Sequence, residues 1–392
     1  MSDSYAAERW FLSRGLPTVV RPAALVRRVP SRSAPALAAL AMVAANSILI
    51  VAISGEHTVD IAGRPDLSES FVLGLVAVLL PAAAVTGWLV GRIGSRRRRL
   101  LAAGVSVAVI AAGAVFGGPS SRIVVNVVIF AVSIAVILIC TATGVGSILG
   151  WVAELAVSNI ALTAGMFVRA LPVVLLTFLV FFNTYVWLMT SLITRGRLWL
   201  GMGFLFLLAG SFLVTATLDR VRPLLAATPA SVAEPEGADS PTLTGTPFDQ
   251  MPDPEHTDPL SVRERLNTVF VVAASQLVHV LTVAVMTGAV FFTLGMILVS
   301  PPVLDAWTRG NGRADGELLG MTLPVPDSLI QTTMLLTAIT FMYLSAKAVT
   351  DAQYRAQFLE PMLDDVTVAL RARARYRAAR RDATTTTGVR DG

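Results

Sequence analysis

The sequence predicts an all-α fold, a polytopic membrane helix bundle of about eight transmembrane helices with one amphipathic helix on its cytoplasmic side. Three observations carry this: the composition, a series of apolar runs of bilayer length, and the placement of the arginines between them. Of 392 residues, 54% are hydrophobic and 15% charged, with a mean hydropathy of +0.69, against roughly 25% charged in soluble domains. A bilayer core about 30 Å thick needs roughly 20 apolar helical residues, because a helix satisfies its own backbone where water is absent. Eight runs meet that need: 35 to 53, 71 to 90, 100 to 116, 123 to 142, 171 to 193, 198 to 218, 266 to 299 and 328 to 350.

The arginines set the expected orientation. Residues 1–34 form a basic cytoplasmic segment with Arg9, Arg14, Arg21, Arg27, Arg28 and Arg32; they reach the first apolar run without a processing site, so the N-terminus is expected to be retained. Spans 1–4 occupy 35–142, and the loop GRIGSRRRR between the second and third belongs inside. The loop GEHTVDIAGRPDLSES, with Glu56, Asp60, Asp66 and Glu69 against Arg64, suits the outside. The C-terminal stretch ALRARARYRAARR also prefers the inside, so the number of spans is even. Eight spans leave one misfit, Arg195 and Arg197 of TRGR on the outer side.

Residues 143–170 are kept as an amphipathic cytoplasmic-side helix. In SILGWVAELAVSNIALTAGMFVRALP, Ser147, Trp151, Glu154, Ser158, Gly165 and Arg169 share a narrow arc, opposite Ile148, Val152, Ala156, Ile160 and Phe167. Interfacial, re-entrant and bundle-packed placements all remain open, with Glu154 the possible functional carboxylate. Spans 5–6 occupy 171–218. Residues 219–265 form an acidic, Pro/Ser/Thr-rich cytoplasmic linker, expected to be disordered and nearly free of large apolar residues apart from Phe248. There Thr242, Thr244 and Thr246 are candidate phosphate acceptors, against the plainer expectation of a solvated tether. Spans 7–8 occupy 266–350 with an outer loop at 300–327, and 351–392 is a basic cytoplasmic helix and tail. In that tail Met362, Leu363, Val366, Leu370 and Ala374 make a stripe that either lies on an anionic inner leaflet or meets the acidic linker.

Catalytic chemistry is not indicated. His57, His256 and His279 fall in an outer loop, the linker and the seventh run, Cys140 is the only cysteine, and no metal-binding or nucleotide-binding spacing occurs. No catalytic residue, cofactor or metal is therefore expected, and the net charge of +5, carried by arginines with Lys347 the sole lysine, is no nucleic-acid signal. GVGSILG shares only glycine content with a phosphate loop. In the seventh run Thr268, Ser275, His279 and Thr282 fall on one arc, and in the fifth Thr177, Thr184 and Ser191 repeat every seventh residue. Such stripes are either packing surfaces between membrane helices or, around His279, a polar path. RGLP at 14–17 is either a partner-docking motif or ordinary pre-membrane sequence.

Three stretches, RWFLSRGLPTVV at 9–20, RALPVVLLTFLVFFNTYVW at 169–187 and AVTDAQYRAQFLEPMLDDVTVALRARARYRAA at 348–379, resemble segments of uncharacterised multi-pass membrane proteins of actinobacteria. The resemblance implies a plasma-membrane location and this segment layout, and brings no catalytic residue. The expected function is that of a non-catalytic scaffold or regulatory membrane component, whose partners are the anionic leaflet and membrane or cytoplasmic proteins. The alternative is a transporter or channel subunit with a weakly polar path near His279.

Overall fold

The structure, a computed structural model, describes residues 2–20, 25–26, 28–55, 59–61, 65–155, 177–226, 243–249, 251, 258–318, 321–350 and 360–388. It is an all-α bundle in which, among the described residues, seven helices are long and apolar enough to cross a membrane. In chain order the helices used below are α1 Ser2–Ser13, α2 Ala34–Ser54, α3 Leu67–Arg92, α4 Arg96–Phe116 and α5 Ile123–Thr143. There follow α6 Val145–Leu155, α7 Thr184–Leu192, α8 Arg195–Ala226 and α9 Val262–Leu298. The last are α10 Pro301–Thr308, α11 Asp327–Thr350 and α12 Glu360–Gly388.

Helices α2 to α5 form one group and α7 to α11 another. In the first, small residues bring backbones close: Ala34, Leu37, Ala41 and Ala44 of α2 pack on Ala103 and Ile110 of α4. A Cβ at Gly113 would stand 2.6 Å from the Ala44 Cβ and 3.1 Å from its backbone oxygen, so only glycine admits this crossing. Helix α3 starts on a reciprocal cap between Asp66 and Glu69. The Glu69 backbone N–H and the Ser68 hydroxyl hold the Asp66 carboxyl below the ordinary aspartate range. At its other end Arg99 donates to the carbonyls of Ile93, at 2.7 Å, and Gly91.

The second group is stitched by hydroxyls. Thr177 and Thr340 lie 3.3 Å apart, Thr190 and Thr332 2.8 Å, and Thr217 donates to Gln276 at 3.0 Å. Where hydrocarbon surrounds a pair of helices, such bonds supply association that apolar contact alone does not. Aromatic packing of Phe181, Trp187 and Phe291 fills the space between.

The two ends of the bundle are distinct. At one, which we term the hairpin end, β1 Gly316–Leu318 pairs antiparallel with β2 Met321–Leu323. The first loop joins this sheet: Ile61 N donates to the Thr322 carbonyl at 3.1 Å, and Thr322 N to Val59 at 3.2 Å. Residues 300–327, expected only as a loop, thus hold a helix and a small sheet. Arg195 sits at the same end, paired with Asp327 and donating to the Glu317 carbonyl at 2.7 Å. One of the two misfit arginines of TRGR, Arg195, is therefore neutralised by a carboxylate at the start of the last span. At the opposite end, which we term the terminal end, α1, α6 and α12 meet.

The fifth apolar run, expected as one span over 171–193, differs from that expectation. Its described part begins at Thr177 and is interrupted at Asn183, whose side chain accepts from Tyr185 N at 3.0 Å and starts α7 as a new helix. The break exposes the Phe181 carbonyl, and the Trp187 indole N–H donates to it at 2.6 Å. Trp151 belongs to the terminal end and Arg195 to the hairpin end.

Two substitutions probe these features. Gly113→Leu should separate α2 from α4 and lower stability by about 1–3 kcal/mol, the usual consequence of overpacking, seen as a lower melting temperature of the detergent-purified chain. Trp187→Phe should leave the Phe181 carbonyl unsatisfied and lower stability by about 1–3 kcal/mol; an unchanged melting temperature would count against this account of the break.

Candidate functional site

At the terminal end, three segments far apart in sequence assemble on the first turns of α9. That helix has 37 residues, about 55 Å at 1.5 Å per residue, longer than a hydrocarbon layer of about 30 Å. It opens with a capping box in which Ser261 Oγ accepts from Glu264 N at 3.3 Å and Ser261 N donates to Glu264 Oε2 at 2.9 Å.

Glu264 is 2% exposed and Arg373 of α12 4%. A carboxylate taken out of water without partners would be strongly destabilising, and here every acceptor position is used. Glu264 Oε1 accepts from Arg373 Nε at 2.9 Å and Arg377 Nη2 at 2.8 Å. Oε2 accepts from Arg373 Nη2 and Ser261 Oγ, both at 2.9 Å, besides Ser261 N. Arg373 also donates to the carbonyls of Asp258 at 2.9 Å and Pro259 at 3.2 Å. Arg377 and Arg381 complete the cluster on Asp258.

The part of the linker that is described is not a free tether. Residues 243–249 form a turn in which the Thr246 hydroxyl donates to the Leu243 carbonyl at 2.6 Å and accepts from Phe248 N at 3.3 Å. Phe248 is fully buried against Trp10, Phe11 and Tyr376, with ring centroids at 5.1, 5.2 and 6.5 Å. Arg375 holds the turn from α12 by donating to the Phe248 carbonyl at 2.9 Å. The linker is also shorter than expected, since α8 continues to Ala226 and α9 begins at Val262.

The basic helix α12 meets the acidic linker rather than presenting only a lipid-facing stripe. Its buried face is Val366, Ala369, Ala372, Arg373 and Tyr376, rotated from the expected stripe to include an arginine. RGLP docks within its own chain. Gly15, at φ +70°, takes a left-handed turn that ends α1, and its carbonyl accepts from Asn267 Nδ2 at 3.1 Å. A Cβ there would lie 3.5 Å from the Trp151 ring of α6. Pro17 packs on Gly144, where φ is +86° and a Cβ would come within 2.5 Å of the Pro17 Cβ.

Between these segments lies a cleft, partly open to solvent, with a cavity volume of about 80 Å³. Leu16, Val19, Trp151, Val271, Val366 and Leu370 line it, with Arg14 and Asp365 also facing it. Thr268 and Ser275 of the α9 stripe line this cleft too; His279, 3% exposed, and Thr282 lie deeper on the same helix and do not. Thr268 donates to the Glu264 carbonyl at 2.9 Å and Thr282 to Val278 at 2.8 Å, as packing hydroxyls do. Glu154 is exposed on α6, outside the cleft, and Thr244 is exposed in the linker turn. Thr242, His57, His256 and the stretch 156–176, with Ser158, Gly165 and Arg169, lie outside the described residues. Among the described residues, no group of three His, Cys, Asp or Glu is gathered as a metal ion would require.

Arg373, Arg377 and Asp258 were not singled out by the sequence. The available signals were the Ser261–Glu264 capping spacing and a lone phenylalanine, Phe248, in a polar linker. Glu264→Ala should strip the terminal end of its central acceptor and destabilise that assembly by about 3–5 kcal/mol, read as faster proteolysis between 243 and 260. Arg381→Ala, on a half-exposed pair, should change it by less than about 1 kcal/mol.

Comparison with protein families, curated protein sequences and solved structures yields no match for this chain.

Proposed function

We propose that this membrane protein is a non-catalytic scaffold or regulatory component whose working surface is the assembled terminal end. The observation that carries the proposal is the Glu264–Arg373 lock, which converts α1, the linker turn and α12 into one folded surface. The hydroxyls of Thr177, Ser191, Thr268 and Thr282 are engaged in helix-to-helix or local backbone bonds, which supports a structural role for those stripes. We take the terminal end to face the cytoplasm and the membrane to be the plasma membrane. The arginines of 9–32, 96–99 and 371–381 support that orientation. Anionic inner-leaflet lipid and membrane or cytoplasmic proteins are its partners.

One observation favours the second reading, a transporter or channel subunit. Broken membrane helices commonly build transport sites, and the fifth run is broken at Asn183, with Thr190 of the helix that follows bonded to the buried Thr332 of α11.

Crosslinking in native membranes followed by partner identification separates the two. The scaffold proposal predicts a defined partner crosslinked to α1 or α12, reduced at least about fivefold in Glu264→Ala at equal abundance, a loss of about 1 kcal/mol in affinity. Substrate-dependent flux in proteoliposomes, unaffected by Glu264→Ala and abolished by His279→Ala at normal abundance, would overturn it.

A further inference from the structure

The cleft at the terminal end stands at a definite depth. Asp219 and Arg220 of α8 are exposed, and Lys347 lies in the last turn of α11, marking the edge of the apolar layer. Thr217 is bonded to Gln276, and Leu277 and Val280 pack with Leu344 and Ala348, which sets that edge on α9 at Gln276. Of the cleft-lining residues of α9, Val271, Val272 and Ser275 lie within about 8 Å of that edge along the helix, in the layer occupied by lipid headgroups and glycerol, while Thr268 and Glu264 lie further out.

An apolar cleft at that depth is matched by the glycerol and upper acyl segments of a phospholipid, and its charged groups say which headgroup. Glu264 and Arg373 satisfy each other and Arg377, so neither is the recognition element. The other two charged residues lining it are Arg14, stacked 4.0 Å over the Trp10 ring, and Asp365, exposed on α12. One cation and one anion facing the same cleft complement a headgroup carrying a phosphate and a primary ammonium. A purely anionic headgroup would meet Asp365 unfavourably. A quaternary amine offers that carboxylate no N–H.

We propose that the cleft between α1, α6, α9 and α12 binds an amine-bearing zwitterionic phospholipid of the phosphatidylethanolamine class, its phosphate on Arg14, its ammonium on Asp365 and its upper acyl chain between Val271 and Val366. The site requires no choice between the two sides of the membrane and is independent of the scaffold proposal.

The test uses the full chain in detergent with phosphatidylethanolamine, phosphatidylglycerol and phosphatidylcholine, each carrying the same photoreactive group near the top of one acyl chain. Labelled peptides are identified by mass spectrometry. The ethanolamine probe should label peptides containing Val271 and Val366 about threefold or more above the other two, the scale of a partly exposed charge pair. Asp365→Asn should remove that preference, and Arg14→Gln should lower labelling by all three probes, while labelling of the lipid-facing side of α5 stays constant. Equal labelling of the cleft by the three probes, or a preference unchanged in Asp365→Asn, would overturn the proposal. Both substitutions are on partly or fully exposed side chains, and an unchanged melting temperature verifies that each variant is folded.

Discussion

Burying one carboxylate constrains the whole terminal end. Glu264 lies in the first turn of a helix that continues through the apolar layer, and its side chain is almost entirely removed from water. Such a charge is tolerated only when its lone pairs are filled with good geometry. The planar fork of Arg373 does this with two parallel bonds, which lysine would not reproduce. Since Arg373 also holds the carbonyls of Asp258 and Pro259, the same side chain fixes the end of the linker. The positions of α12, of Phe248 beneath it and of α1 beneath Phe248 then follow from steric fit.

The opposite end is organised by different means. There the Asp327 carboxylate, at the start of α11, accepts from Arg195 and from Gln331 Nε2 at 2.7 Å. It sits where a helix N-terminus favours negative charge. A short hairpin and one strand bridge tie the first loop to it. Between the ends, contacts are small-residue crossings in the first helical group and threonine pairs in the second. A bundle built this way has its most elaborate polar structure at its two ends, outside the apolar layer.

How much of this could be read from sequence depends on the range of each interaction. Run length and hydropathy located seven long helices, because the need to satisfy backbone groups in lipid is local and acts on every residue of a run. The break at Asn183 was hidden because VFFNTYVW keeps its apolar content across the interruption, and a single Asn before Thr184 is a cap only if the helix stops there. The Ser261–Glu264 spacing is that of a capping box and was passed over within the expected linker, and nothing local shows that Glu264 turns inward. Among the arginines of ALRARARYRAARR, Arg373 differs from its neighbours only in the face it takes once α12 packs. The pairing spans 109 residues, and one sequence contains no record of contacts at that range. Phe248 was the legible exception, since a large aromatic in a polar linker has no reason to be there unless something covers it.

The central claim is that α1, the linker turn and α12 form one cooperative unit around Glu264. Amide hydrogen exchange on the full chain in lipid nanodiscs tests it most directly. The account predicts that amides of residues 7–13 and 363–377 share one opening free energy and lose protection together as denaturant is raised, while the centre of α9 stays protected. Exchange of 363–377 at the rate of an unstructured peptide, with 7–13 still protected, would contradict it.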